Sequence, residues 1–286
     1  MVARVRSRRL RFRPPYDWLA LVGFLGARSI EGVEGVSGGA YCRAMRIERA
    51  GAEDIGWIAV TPVATQSALR VDLSPSLSDA VEPVLARVRQ VMDLAADPEA
   101  IASALGPLAA RRPGLRVPGA FDGFEIAVRA ILGQQISVKA ARTIAGRFAA
   151  AFGTAVETPF AEIARVFPSA SDVAERRIDR IASLGIIASR ARTIRAIARA
   201  MVQGELVLTP GVDVEATLGR LRALPGVGEW TAQYIAMRAL AWRDAFPHTD
   251  LGIRKALGEE DPKRVLAAGE AWRPWRAYAA MHLWLG

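Results

Sequence analysis

Apolar and polar side chains alternate at four places in the first hundred residues of the chain. The alternating apolar positions are Leu10 and Phe12; Tyr41, Met45 and Ile47; Ile55, Trp57 and Ala59; and Leu69, Val71 and Leu73. A period of two is typical of strands with one wet face. Two stretches follow the helical period instead, and they contain Trp18, Leu21, Val22 and Leu25, then Val81, Val84, Leu85, Val88 and Met92. We therefore expect an antiparallel sheet backed by two helices.

Beyond residue 96 the apolar positions follow the helical period almost throughout. Asp97 before Pro98 is typical of a helix start, and the pattern continues that helix through Leu108. Residues 111–119 contain two prolines and two glycines and are predicted to form a loop. The pattern as a whole predicts an α+β protein, with an N-terminal antiparallel α/β domain over residues 1–96 and a helical core over residues 97–286.

Composition narrows the class of protein. The chain has 286 residues, of which 51% are hydrophobic and 23% charged, as in a globular protein. The single cysteine excludes an internal disulfide, a multi-cysteine zinc site and a four-thiolate iron–sulfur cluster, so we expect no cofactor and a reducing, cytoplasmic compartment. Residues 18–27 form the longest candidate for a membrane segment, but they are too few to cross a bilayer, and we expect a buried helix and no membrane association.

The charge of the chain favours a polyanionic partner. The formal net charge is +9 and the isoelectric point is about 10.6. Nearly all of the positive charge comes from arginine, and richness in Ala, Gly and Arg also follows from genome base composition, so charge alone leaves both readings open.

The segment Leu-Pro-Gly-Val-Gly-Glu-Trp-Thr-Ala at 224–232 lies between two helical patterns. Gly226 and Gly228 permit a tight turn and a close approach of the backbone to a ligand. The free N–H groups at the start of the second helix would attract a phosphate of nucleic acid regardless of base sequence. An ordinary turn between two helices explains the same pattern.

An aspartate follows about twenty residues after this turn, in the segment Phe-Pro-His-Thr-Asp at 246–250. Thr249 or Asp250 is predicted to cap a helix. The carboxylate of Asp250 could also stabilise a developing positive charge or orient a water molecule. Trp230 and Tyr234, four residues apart, would project from one side of a helix as a stacking wall, or would simply be core residues.

Together these motifs resemble the helix-hairpin-helix DNA glycosylase superfamily, and within it the AlkA type of 3-methyladenine DNA glycosylase. The likeness extends over nearly the whole chain, through the segments 14–18, 23–25, 110–116, 128–134, 224–232 and 272–276. It implies two helical subdomains after the N-terminal domain, with a hairpin at about 215–241 and a cleft that holds the damaged base. It also implies a bacterial monomer that acts on double-stranded DNA containing alkylated bases.

The resemblance assigns roles to individual residues. Asp250 matches the catalytic aspartate; Trp230, Tyr234, Trp284 and Phe24 match aromatic residues of the base pocket; Gly226, Gly228 and Thr231 match residues that hold the DNA backbone, sometimes with a bound monovalent cation. Gln134 and Gln135 are expected to contact DNA. Gln135 departs from the AlkA type, which inserts a leucine into the gap left by the flipped nucleotide.

The residue at position 230 separates two chemistries within the superfamily. Members that also cut the strand carry a lysine there, whose amine forms a Schiff base with the sugar. Trp230 offers no such nucleophile, so we expect a glycosylase that releases the base without cutting. Two alternatives remain: a DNA-binding protein that senses alkylated bases without catalysis, and a bifunctional glycosylase/lyase for oxidised bases.

Overall fold

The structure is a computed structural model that describes residues 5–49 and 52–286. Residues 1–4 of the predicted N-terminal domain, and residues 50 and 51, lie outside the described residues. Within the described ranges, no helix combines the length and the apolar character needed to cross a bilayer.

The first third of the chain contains a sheet and two helices. Its elements are β1 (Arg6–Arg11), α1 (Trp18–Ala27), β2 (Glu34–Ser37), β3 (Ala40–Arg49), β4 (Ala52–Pro62), β5 (Ala68–Leu73) and α2 (Val81–Val91). The five strands pair antiparallel in the order β1-β5-β4-β3-β2. Apolar side chains of α1 and α2 share one buried cluster with the strands, which confirms the predicted sheet backed by two helices.

The prediction of one wet face is wrong for the centre of the sheet. In β4 the residues buried against the helices are Ile58 and Val60, not the predicted set at 55, 57 and 59. That set faces the other side, where Phe160 packs edge-on against Trp57 with ring centroids 5.2 Å apart. Because a later segment covers this side, β3 and β4 carry apolar residues on both faces, and alternation cannot identify the inner one.

The rest of the chain is mainly helical. Its elements are α3 (Pro98–Leu105), α4 (Pro107–Ala110), α5 (Gly123–Leu132), α6 (Val138–Phe152), β6 (Thr154–Ala155), β7 (Arg165–Val166), α7 (Ala170–Ala174), α8 (Ile178–Ala182), α9 (Ala188–Val202), α10 (Val214–Ala223), α11 (Glu229–Arg238), α12 (Leu251–Leu257), α13 (Pro262–Gly269) and α14 (Arg276–Leu285). The α+β fold class is thereby confirmed. The domain boundary at residue 96 stays a prediction.

Two helix boundaries show how single residues set the local structure. Asp97 caps α3 by accepting hydrogen bonds from the backbone N–H groups of Glu99 and Ala100, as predicted. The predicted continuation through Leu108 is interrupted at Gly106, where φ is +54°. Such a conformation favours glycine and ends the helix, so α3 and α4 are separate helices.

A buried group of charges joins the sheet to the helical part, and we call it the charge cluster: Glu34, Arg43, Glu125 and Arg129. Arg43 donates to Glu125 over 2.7 Å, and Arg129 donates to Glu34 over 2.6 Å and to Glu125 over 3.0 Å. Glu34 and Arg43 belong to paired strands, whereas Glu125 and Arg129 belong to α5. Two cations and two anions therefore balance inside the protein.

Candidate active site

A cleft of about 260 Å³ opens between α1, α5, α6, α11 and α14. The predicted pocket residues Phe24, Trp230, Tyr234, Asp250 and Trp284 all line it. The fold thus brings together five residues that are spread over 261 positions of the sequence. Whether they act as predicted on a base stays a proposal.

Asp250 lies at the start of α12, and its carboxylate accepts four hydrogen bonds. Oδ1 accepts from the backbone N–H groups of Gly252 and Ile253, at 2.8 and 3.1 Å, and from the indole N–H of Trp284 at 2.9 Å. Oδ2 accepts from the indole N–H of Trp230 at 2.7 Å. The residue is therefore the helix cap that its position predicts, and at the same time an acid fixed in orientation within the cleft.

The aromatic side chains of the cleft form two parallel pairs. Trp230 and Tyr234 stack directly, with centroids 5.2 Å apart and planes 10° apart. Phe24, at the C-terminal half of α1, lies 6.4 Å from Trp284 with planes 21° apart. Flat apolar faces therefore dominate the cleft, with one carboxylate at its edge.

Tyr234 also carries a polar contact at the base of the cleft. Its hydroxyl oxygen accepts a hydrogen bond from Arg238, which is itself buried and donates to two backbone carbonyls. Burial alone would raise the pKa of the phenol, but the positive charges of Arg238, Arg28 and Arg129 outweigh it and lower that pKa. Several guanidinium groups therefore lie close to this side of the cleft.

Two of those arginines also line the cleft, and the sequence analysis missed both of them. Arg129 belongs to the charge cluster, and Arg28 lies over the ring of Phe24. The sequence carried one usable signal, because Arg129 lies four residues after Glu125 on the same helix. Nothing in the sequence marked Arg28.

The turn at 224–228 has the predicted helix-hairpin-helix geometry between α10 and α11. Gly226 has φ +85°, and an added Cβ would lie 2.4 Å from Oγ1 of Thr193, which donates to the carbonyl of Pro225. Gly228 is the N-cap of α11, makes no side-chain cap and has open space around it. The first N–H groups of α11 are thus available to an anion from solvent.

The two glycines of this turn offer a matched pair of substitutions. We expect Gly226→Ala to lower the free energy of unfolding by about 1–3 kcal/mol, because alanine is strained at that φ and collides with Thr193. Gly228→Ala should cost less, about 1 kcal/mol or below, since φ is −89° and the space is open, although alanine is a poorer N-cap than glycine. It should weaken DNA binding by obstructing the approach of the DNA backbone. Chemical denaturation and fluorescence anisotropy with duplex DNA measure the two effects. Equal stability of both variants would contradict this account of the turn.

Gln134 and Thr231, both predicted to contact DNA, bind each other. The side-chain amide of Gln134 donates to the hydroxyl of Thr231 at 2.9 Å and to the carbonyl of Gly226 at 3.0 Å. Since Thr231 is buried, its side chain positions the loop, and a contact with DNA would have to come from its backbone. Gln134 therefore connects the loop before α6 to the hairpin turn.

Gln135 is exposed in that same loop and has φ +55°, which is uncommon for a residue other than glycine. Arg190 donates to the backbone carbonyl of the preceding Gln134 and so fixes the loop from the other side. The side chain is free to enter a DNA duplex, but its insertion stays a prediction.

The monovalent cation implied by the resemblance would use carbonyl oxygens of the turn. Those of Pro225 and Gly226 each accept one hydrogen bond, from Thr193 and Gln134. A carbonyl oxygen has two lone pairs, so each keeps one for a cation, and the turn fits such an ion.

Comparison with known protein families matches two adjoining parts of the chain. Residues 7–122 match the family model described as the AlkA N-terminal domain. Residues 128–260 match the model described as the HhH-GPD superfamily base excision DNA repair protein.

Individual relatives agree with these matches. The chain is 35% identical to DNA-3-methyladenine glycosylase 2 of Escherichia coli, over 96% of this chain and 95% of that protein. It is 41% identical to a protein of Mycobacterium tuberculosis named as a probable bifunctional transcriptional activator/DNA repair enzyme AlkA, over 97% of this chain. The chain spans only 56% of the length of that relative.

Among solved structures, the 3-methyladenine DNA glycosylase from Archaeoglobus fulgidus superposes with a TM-score of 0.83. The alignment covers 97% of each chain at 21% identity. At 21% identity this similarity shows the fold alone.

Proposed function

The chain belongs to the HhH-GPD superfamily of base excision DNA repair proteins, in the group with an AlkA-type N-terminal domain, and we infer from this that it is a monofunctional DNA glycosylase. Its proposed reaction is hydrolysis of the N-glycosidic bond of alkylated bases in duplex DNA, 3-methyladenine and 7-methylguanine among them. The proposed product is an abasic site, the first intermediate of base excision repair.

One observation carries the proposal: a single carboxylate, that of Asp250, is held at the edge of an aromatic cleft by two of the cleft's own indole N–H groups. Departure of a base leaves a sugar with oxocarbenium character, and a fixed negative charge stabilises it without reorganisation. The same carboxylate would position the attacking water.

The aromatic walls suit the proposed substrates. A base alkylated at a ring nitrogen carries positive charge, which an aromatic face attracts. Because such a base already leaves easily, the reaction does not depend on a second carboxylate as general acid.

A base stacked in a duplex reaches the cleft only after the nucleotide flips out, at a cost of a few kcal/mol that is smaller for a damaged pair. We propose that the turn at Gly226 and Gly228 holds the strand through backbone N–H groups during this step, with Gln135 filling the gap. A monovalent cation on the turn's carbonyls would add positive charge towards the phosphate. The proposed partner is double-stranded DNA, and the proposed working unit is a monomer.

A panel of DNA substrates tests the proposal. The protein is incubated with methylated duplex DNA, the free bases are identified by chromatography, and strand cutting is scored before and after alkali. We expect released base, cuts only after alkali and no covalent adduct with borohydride, because Trp230 provides no amine.

Each alternative has its own outcome in that experiment. Tight binding to methylated DNA without base release would favour the sensing protein. A borohydride-trapped adduct would favour the bifunctional enzyme and would overturn the role given to Trp230.

A further inference from the structure

Arg28 occupies a place in the cleft that neither the hairpin nor Asp250 explains. It follows the last residue of α1, and its side chain folds back over Phe24, with Cζ 3.8 Å from the ring centroid. The residue is half-buried and lines the cleft together with Asp250. A guanidinium group therefore covers one face of an aromatic ring that would otherwise be open to a base.

The hydrogen-bond donors of Arg28 are almost uncommitted. Its one hydrogen bond in the described part of the chain runs from Nη1 to the carbonyl of Phe24, at the limiting distance of 3.5 Å. No carboxylate of residues 5–49 or 52–286 forms an ion pair with it, whereas neighbouring Arg129 is held by both Glu34 and Glu125. Burial lowers the pKa of Arg28, and the opposing effects of Tyr234 and Asp250 are too small to cancel it. The neighbouring groups therefore compensate only in part for the burial of this charge.

The acceptors near this edge of the cleft already hold protein donors. Both oxygens of Asp250 accept indole or backbone N–H groups, and the oxygen of Tyr234 accepts from Arg238. Arg28, by contrast, can only donate. At its own position in the cleft, Arg28 therefore complements an oxygen of a base and opposes an amino group.

Resting on the proposed function, we propose that Arg28 is a specificity-determining residue that donates hydrogen bonds to an exocyclic oxygen of the flipped base. Aromatic faces and Asp250 favour a positively charged ring, whereas Arg28 repels that charge and favours an oxo group. The two preferences together set the range of bases that the cleft accepts. A half-buried donor left without an acceptor makes a base that lacks the oxygen a poorer fit.

The test compares bases that differ in charge and in the group at position 6. Methylated duplex DNA supplies 7-methylguanine, which is cationic with a 6-oxo group, and 3-methyladenine, which is cationic with a 6-amino group, in one reaction. A duplex with a single hypoxanthine supplies a neutral 6-oxo base. The variants are Arg28→Met, which keeps the length of the side chain without its donors, and Arg28→Lys, which keeps the charge.

In single-turnover measurements we expect Arg28→Met to slow release of hypoxanthine and 7-methylguanine by about 10–100-fold, the loss of hydrogen bonds from a charged donor. Release of 3-methyladenine should not fall, because it offers no oxygen to Arg28 and the substitution removes a positive charge beside its cationic ring. Circular dichroism and urea denaturation report whether the variant is folded. Arg28→Lys should fall between wild type and Arg28→Met for the oxo bases, because one ammonium replaces a planar fork.

Other outcomes overturn the inference. An equal fall for all three bases, with a shallower salt dependence of DNA binding, would make Arg28 a phosphate contact. Unchanged rates for every base would remove it from recognition. A wild-type protein that releases none of the three bases overturns the proposed function as well, whereas normal wild-type release with equal falls in Arg28→Met overturns only this inference.

Discussion

Replacing Asp250 by asparagine is expected to slow base release by on the order of 10³-fold or more, while affinity for DNA containing an abasic-site analogue is kept. The substitution removes the negative charge that would stabilise the oxocarbenium-like sugar. It leaves the helix cap intact, because asparagine caps as well as aspartate and Oδ1 holds the N–H groups of Gly252 and Ile253. Single-turnover release from methylated DNA and fluorescence anisotropy measure the two quantities.

The contact with Trp230 requires its own control. In the asparagine variant an amide N–H₂ faces the indole N–H of Trp230, where the wild type has an acceptor 2.7 Å away. Trp230→Phe removes that N–H and keeps the aromatic face, and we expect it to cost about tenfold or less. If the charge matters, the double variant Trp230→Phe with Asp250→Asn stays inactive. Recovery of release in the double variant, or release by Asp250→Asn alone within tenfold of wild type, would remove the charge from the mechanism.

Replacing Arg43 by methionine is expected to lower the free energy of unfolding by about 3–5 kcal/mol, because it leaves the charge cluster with two carboxylates and one cation in the interior. The side chains of Arg43, Glu34 and Glu125 are 4%, 2% and 3% exposed, so water cannot replace the lost partner. Adding Glu125→Gln to Arg43→Met restores the charge balance and should recover part of the loss. Urea denaturation measures each variant.

A surface ion pair tests whether burial causes the expected loss of stability. Arg177 and Asp179 form an ion pair of similar length, 2.8 Å, on the surface, with side chains 81% and 62% exposed. Arg177→Met should therefore have no measurable effect on the free energy of unfolding.

Burial raises the pKa of Glu34, but Arg129, Arg43 and the hydroxyl of Tyr41 outweigh it and lower that pKa. The stability that this carboxylate supplies is present above its unfolded pKa of about 4.3 and is lost as pH falls below it. A variant Arg43→Met as stable as wild type would contradict the role of the cluster.

Local patterns in the sequence predicted those parts of the fold that depend on one segment at a time. The helix at Trp18–Ala27 begins and ends where the apolar stretch does, and Asp97 caps α3 as expected. The prediction of which face of β4 points inward was wrong, because Phe160, about a hundred residues later in the chain, packs on Trp57 and covers the other face. The strand at Glu34–Ser37 was missed, since it has four residues and only one long apolar side chain.

In the candidate site, too, the features that depend on local sequence could be predicted and the contacts between distant residues could not. Glycines 226 and 228, the aspartate at 250 and the aromatic pair were open to prediction because turns, caps and helical spacing are local. The hydrogen bonds from Trp230 and Trp284 to Asp250 join residues 20 and 34 positions apart, and no pattern encodes them. Arg28 and Arg43 lie among many arginines, and only the tertiary structure tells a buried guanidinium from a solvated one.

The cleft is assembled from both ends of the chain. Phe24 lies in α1 and Arg28 directly after it, whereas Asp250 is the N-cap of α12 and Trp284 lies in α14. A fragment that began at residue 97 would keep the acid and the hairpin but would lose Phe24, Arg28 and Ile30 from the wall of the cleft. It would also leave Glu125 and Arg129 without the strand residues that accompany them inside the protein. On the proposed function, the helical region that carries the hairpin is therefore not a complete catalytic unit. A shortened version of the protein would have to keep both α1 and β3.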